Sequence, residues 1–89
     1  MHRPHEYTIG EIIRDQREMT GLTQKELAAK VDINRSTLLS YELGRKLPSP
    51  ENLLKIAKMT GWDFIEAKKQ LYRELTARYE KRLRKKMGI

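Results

Sequence analysis

Apolar residues recur at helical spacing in five blocks, and no block alternates with the period of two that marks a half-buried strand. Ile9 and Ile13 start the first stripe, and Arg17 continues its face. Leu27, Ala28 and Val31 form the second, Leu38 and Tyr41 the third. Leu53, Leu54, Ile56 and Ala57 form the fourth, and Gly61 stops it. The fifth runs through Phe64, Ala67, Leu71, Leu75, Tyr79 and Leu83, with Ile65 and Tyr72 alongside. Helix ends are legible too. Thr8 with Glu11, Thr23 with Glu26 and Asp63 with Glu66 have capping-box spacing. Asn34 suits an N-cap, and Ser49 precedes Pro50 at a first helical position. Gly21 ends the first helix, and Gly44 suits the C′ position of the third. The expectation is an all-α, compact five-helix domain. Nothing breaks the fifth helix before Gly88, so it extends for about 24 residues, or roughly 36 Å. The expected organisation is a flexible arm over 1–7, a folded domain over 8–71 and a basic extension of helix five over 72–89.

The segment LTQKELAAKVDINRSTLLSYE, residues 22–42, holds the second and third helices with a tight turn between them. Ile33 in the turn can plug the corner where they cross. With Leu38 and Tyr41 packed behind, Asn34, Arg35, Ser36, Thr37 and Ser40 lie on the open face of the third helix. A short helix with a packed back and hydrogen-bonding side chains in front suits the major groove of DNA.

Charge sharpens that picture. The net charge is +7, spread unevenly: residues 1–61 hold 10 Lys/Arg against 8 Asp/Glu, and residues 62–89 hold 9 against 4. Such a surplus favours DNA, RNA or an acidic membrane surface without choosing among them. No apolar run reaches the roughly 20 residues that a membrane span needs. There is no signal-peptide pattern and no cysteine, which fits a reducing cytoplasm. The only histidines, His2 and His5, cannot fill a metal site by themselves. With no glycine-rich phosphate loop and no catalytic set, the expectation is a non-enzyme without cofactor or metal. The arm His2-Arg3-Pro4-His5 could alternatively reach a minor groove through Arg3.

Taken in order, Arg17, Thr23-Gln24, Leu27-Ala28, Ser36-Thr37, Glu42, Gly44-Arg45, Pro48 or Pro50, Leu53, Ile56-Ala57 and Gly61 form a pattern. It resembles the helix-turn-helix domains of the lambda-repressor-like, Xre type over about residues 8–66. The resemblance implies base reading or base-adjacent positions at Asn34, Arg35, Ser36 and Ser40. It implies phosphate-backbone contacts at Gln24, Thr37, Leu43 (through its backbone), Arg45 and Lys46. It also implies a structural ion pair between Arg17 and Glu42. Two positions depart from the family pattern. Asp32 stands where the turn usually has Gly, and the fifth helix continues far beyond Phe64 and Ile65.

Arg35 carries the base-reading expectation, because its planar fork can bond two guanine acceptors at once. A phosphate-bound or solvated arginine is the alternative. For the long helix, three readings stand side by side. Leu71, Tyr72, Leu75 and Tyr79 can meet their copies in a homodimer. They can dock on another protein. Arg78, Lys81, Arg82, Arg84, Lys85 and Lys86 can bind phosphates. The function expected from these features is a sequence-specific regulator of transcription, a repressor binding a palindromic operator in double-stranded DNA as a homodimer. The alternative is an antitoxin-like or accessory DNA-binding factor whose long helix docks on a protein partner.

Overall fold

The computed structural model describes residues 7–88. They form α1 (Ile9–Met19), α2 (Gln24–Lys30), α3 (Arg35–Glu42), α4 (Pro50–Thr60) and α5 (Phe64–Met87), with no strand among the described residues. Of the arm expected over 1–7, residues 1–6, with His2, Arg3 and His5, lie outside the described residues, and Tyr7 lies within them. No helix among those described is long and apolar enough to cross a membrane.

Two of the expected capping boxes are complete. Thr8 and Thr23 accept from the backbone N–H groups of Glu11 and Glu26, whose carboxylates accept in return from the Thr8 and Thr23 N–H groups. The expected box at α5 is not made, although Asp63 still caps the helix. Asp63 Oδ1 accepts from the Ile65 N–H at 2.8 Å, while Glu66 turns to Lys69 at 3.6 Å. Asn34 has the extended backbone of an N-cap but makes no side-chain capping bond.

The core is one cluster to which all five helices contribute. Ile9, Ile13, Leu27, Leu38, Leu53 and Ile56 are its largest fully enclosed side chains. Each is worth about 1.5–3 kcal/mol relative to exposure. Leu54, expected on the packed face of α4, is half-buried at its edge. Ile33 packs against the cluster from the α2–α3 turn, where Asp32 takes φ 57°. The Ile33 N–H closes the turn on the Ala28 carbonyl at 3.0 Å and the Asp32 N–H reaches that of Ala29 at 3.3 Å. This is the double bond of a Schellman ending, with aspartate at the left-handed position where glycine is usual.

Gly10 explains how closely α1 lies across α3. A Cβ at this position would stand 2.2 Å from the Tyr41 carbonyl oxygen and 2.9 Å from that of Glu42. A helix-interior glycine costs about 1 kcal/mol of propensity relative to alanine. Here it allows two backbones to touch.

Apolar burial on α5 stops at Leu71, but the helix stays tied to the domain beyond it. The buried Gln70 donates to the Tyr7 carbonyl at 3.0 Å and to Glu74 Oε2 at 2.7 Å. Glu74 in turn accepts from the Ile9 N–H, one of the donors that the first turn of α1 leaves unpaired. Arg78 donates to the Gly44 carbonyl at 3.2 Å. From Tyr79 onward every described side chain is exposed.

Replacing Gly10 with Ala should lower stability by about 1–3 kcal/mol through overpacking, against its helix-propensity gain. Urea denaturation measures this directly, and a stabilised variant would show that α1 can step back from α3 at no cost.

Candidate nucleic-acid interface

The orientation of α3 is set from behind. Leu38, Tyr41 and Glu42 are buried, so the helix turns Asn34, Arg35, Ser36 and Leu39 outward, with Thr37 and Ser40 half-buried at the margins. Tyr41 Oη accepts from Asn52 Nδ2 at 2.8 Å, which ties α3 to α4.

Glu42 joins the remaining elements. Its Oε2 accepts from Arg17 Nε at 2.8 Å, and its Oε1 accepts from Arg17 Nη2 and Gln24 Nε2, both at 3.1 Å. Arg17 Nη1 also donates to the Leu22 carbonyl at 2.9 Å. One carboxylate thus links α1, the loop after it, the first residue of α2 and the end of α3. The side chains of Arg17 and Glu42 are 11% and 3% exposed. The hydrogen bonds to Glu42 hold the Arg17 guanidinium above its usual pKa, against the opposing effect of burial. Each oxygen of the buried carboxylate is satisfied by this fork and by the Gln24 amide.

Gln24 therefore occupies a different environment from a free surface amide. Half-buried, it spends one N–H on Glu42, and its second N–H remains for another acceptor. Leu43, Arg45 and Lys46 are exposed in the loop after α3. Gly44 allows that loop to leave abruptly, at φ 78°. The Arg45 N–H then returns to the Ser40 carbonyl at 2.9 Å, fixing where the two cations emerge.

The structure brings Asn34, Arg35, Ser36, Thr37 and Ser40 onto one helix, with Leu43, Arg45 and Lys46 just beyond its end. It takes Leu71 away from the residues assigned to a partner surface. Leu71 is 2% exposed and belongs to the core, because its turn of α5 faces α1 and α4. Tyr72, Leu75 and Tyr79 are exposed and are joined by Leu83.

One feature of the open face escaped the sequence reading. Leu39 is exposed, and with Leu43 it edges a shallow hollow that also contains Arg14, Gln24 and the Arg17–Glu42 pair. The signal was present: Leu38 and Tyr41, three residues apart, set the buried phase of α3, which turns Leu39 outward. Among the described residues, no group of three or more His, Cys, Asp or Glu could hold a metal ion.

A short helix presented on a packed frame, one tight turn after another short helix, is the arrangement of a helix-turn-helix DNA-binding domain. The Helix-turn-helix family profile matches residues 13–64, and the chain belongs to this family, in its Xre, lambda-repressor-like branch. An uncharacterized HTH-type transcriptional regulator of Methanothermobacter thermautotrophicus is 42% identical over 55 residues, 62% of this chain and 80% of that protein. Human endothelial differentiation-related factor 1 is 38% identical over 53 residues, 60% of this chain. Multiprotein-bridging factor 1 of Candida albicans is 37% identical over 54 residues, 61% of this chain. Each of these last two is matched over only 36% of its own length. The fold is similar to that in a solved SinR protein/SinI protein complex, with a TM-score of 0.65 and 27% identity over 90% of this chain and 79% of that one.

Glu42→Ala would strand the Arg17 charge in a nearly closed site and should cost about 3–5 kcal/mol of stability. Urea unfolding tests this, with Arg17→Met/Glu42→Leu as the partner measurement. The double variant should recover much of the loss; a cost for Glu42→Ala below about 1 kcal/mol would mean that water replaces the carboxylate.

Proposed function

We propose that the chain is a transcriptional repressor that binds a palindromic operator as a homodimer. The observation that carries this reading is the exposed row Asn34, Arg35 and Ser36 at the start of α3, with Arg45 and Lys46 just past its end. In a major groove, the first group meets base edges while the second meets the phosphates alongside. Arg35 reads guanine through its two-pronged fork, and Ser36 and Ser40 add adaptable hydrogen bonds. Leu39 offers a thymine methyl the apolar contact that the serines cannot. Thr37 and the second Gln24 N–H hold phosphate oxygens; the Leu43 backbone, expected to do the same, spends its N–H on the Leu39 carbonyl at 2.9 Å.

Dimerisation supplies the second half-site that so small a reading surface needs, one helical turn of DNA away. The exposed stripe Tyr72, Leu75, Tyr79 and Leu83 on α5 supports it, since these side chains have no cover among the described residues. Occupying a promoter in this way blocks transcription.

A second reading keeps the DNA contact and gives the stripe to another protein, as in an antitoxin-like or accessory factor. Two relationships favour it: the similar fold solved as a SinR/SinI complex, and relatives that include a protein named for multiprotein bridging.

Selection of the full chain on random duplex DNA, with sizing of the recovered complex, separates the two. A palindrome bound by two copies is expected. A single asymmetric site bound by one copy would move the stripe to a foreign partner. On the selected duplex, Arg35→Ala should relax preference at one base of each half-site, by about 1–3 kcal/mol of discrimination. Equal weakening on every sequence would make Arg35 a phosphate contact.

A further inference from the structure

The face that α5 turns toward the domain changes character along its length. Ala67 and Leu71 sit in the core, Gln70 and Glu74 bond the start of α1, and Arg78 bonds the carbonyl of Gly44. At about 100° per residue, the next residues on that same face are Lys81, Arg82 and Lys85. All three are exposed. Glu80, the only acid after Glu74, lies roughly opposite Arg78, about 200° around the helix. The exposed apolar stripe is offset from these three cations by about a third of a turn. The cations after Arg78 are thus partly sorted: Lys81, Arg82 and Lys85 continue the face that packs on the domain, while Arg84 and Lys86 lie on other sides.

Position gives that sorting a meaning. Arg78 fastens α5 to Gly44, the residue immediately before Arg45 and Lys46. The helix passes the loop already assigned to phosphates, then runs on for about 14 Å to Met87. A protein-docking face would put its apolar residues, rather than its cations, on this line.

We propose that Lys81, Arg82 and Lys85 form a second phosphate-binding site, which holds duplex backbone outside the sequence read by α3. Arg78 is its positioning residue, keeping the free end of α5 beside the loop. The proposal rests on the reading of the chain as a duplex-DNA binder. It adds contacts that depend on the length of the duplex but not on its flanking sequence.

The test uses the full chain and two duplexes obtained by selection from random DNA. One ends at the recognised motif, and the other carries a full helical turn of flanking sequence on each side. Wild type should bind the longer duplex more tightly, with backbone protection from hydroxyl radicals reaching into the flanks. In Lys81→Gln/Arg82→Gln/Lys85→Gln that advantage should disappear, and the slope of log affinity against log salt should flatten by about 2–3 for each bound chain on the longer duplex. The control Lys69→Gln/Arg84→Gln/Lys86→Gln removes the same charge from other faces and should keep the flank advantage. Equal losses in both variants would replace the site with diffuse attraction, and no loss in the first would overturn it outright. In either case motif binding by wild type leaves the α3 reading standing. Failure of wild type to bind any duplex would overturn both.

Discussion

A single buried carboxylate holds the reading apparatus together. Glu42 lies at the last turn of α3, yet its oxygens are bound by a side chain from α1 and another from the start of α2. Burying a charge is expensive, and the cost is offset only while every partner stays in place. The two helices of the motif are thereby fixed relative to each other and to α1, independently of the apolar contacts between them. An apolar interface tolerates a degree of slip; a two-pronged ion pair with a third donor has one good geometry. Helix orientation is what a groove-reading domain has to preserve, so the most directional interaction in this protein stands where orientation is set.

The same logic explains the ends of the helices. The domain is small, and each helix in its packed part is short, so a large share of backbone groups lies in first and last turns. Thr8 and Thr23 close two starts locally. At α1 a further N–H is taken up by Glu74, far away in sequence, which turns an unsatisfied helix end into an anchor for α5. The Gly44 carbonyl plays a similar part for Arg78. The long helix is joined to the domain through apolar packing first and through helix-end polar groups afterwards.

Much of this was legible beforehand because it is local. The five helices, the stripes of Ile9, Ile13, Leu27, Leu38 and Leu53, and the paired Thr/Glu caps all follow from spacings of three or four residues. Asp32 was legible as a departure from glycine, and it does take a left-handed conformation. What escaped depends on residues distant in sequence. Gly10 looks like an ordinary weak point in a helix until the carbonyls of Tyr41 and Glu42 are found against it. Glu74 and Gln70 look like solvated polar residues on a basic helix until α1 arrives beside them. Leu71 read both as the end of the folded domain and as part of a partner surface, and it is the first of these that its burial fits. The Gln24 amide read as a surface group because its partner, Glu42, lies 18 residues away.

The close approach at Gly10 also bears on how such a protein can diversify. Where Gly10 crosses α3, main chain rests on main chain, so position 10 offers no side chain that mutation could shrink or reshape to tilt the reading helix. New targets are reached by exchanging the residues displayed on α3, while the mount beneath them stays the same. The cradle is inherited whole and the lettering on it is replaceable, so relatives with quite different preferences are expected to hold their third helix at nearly the same angle.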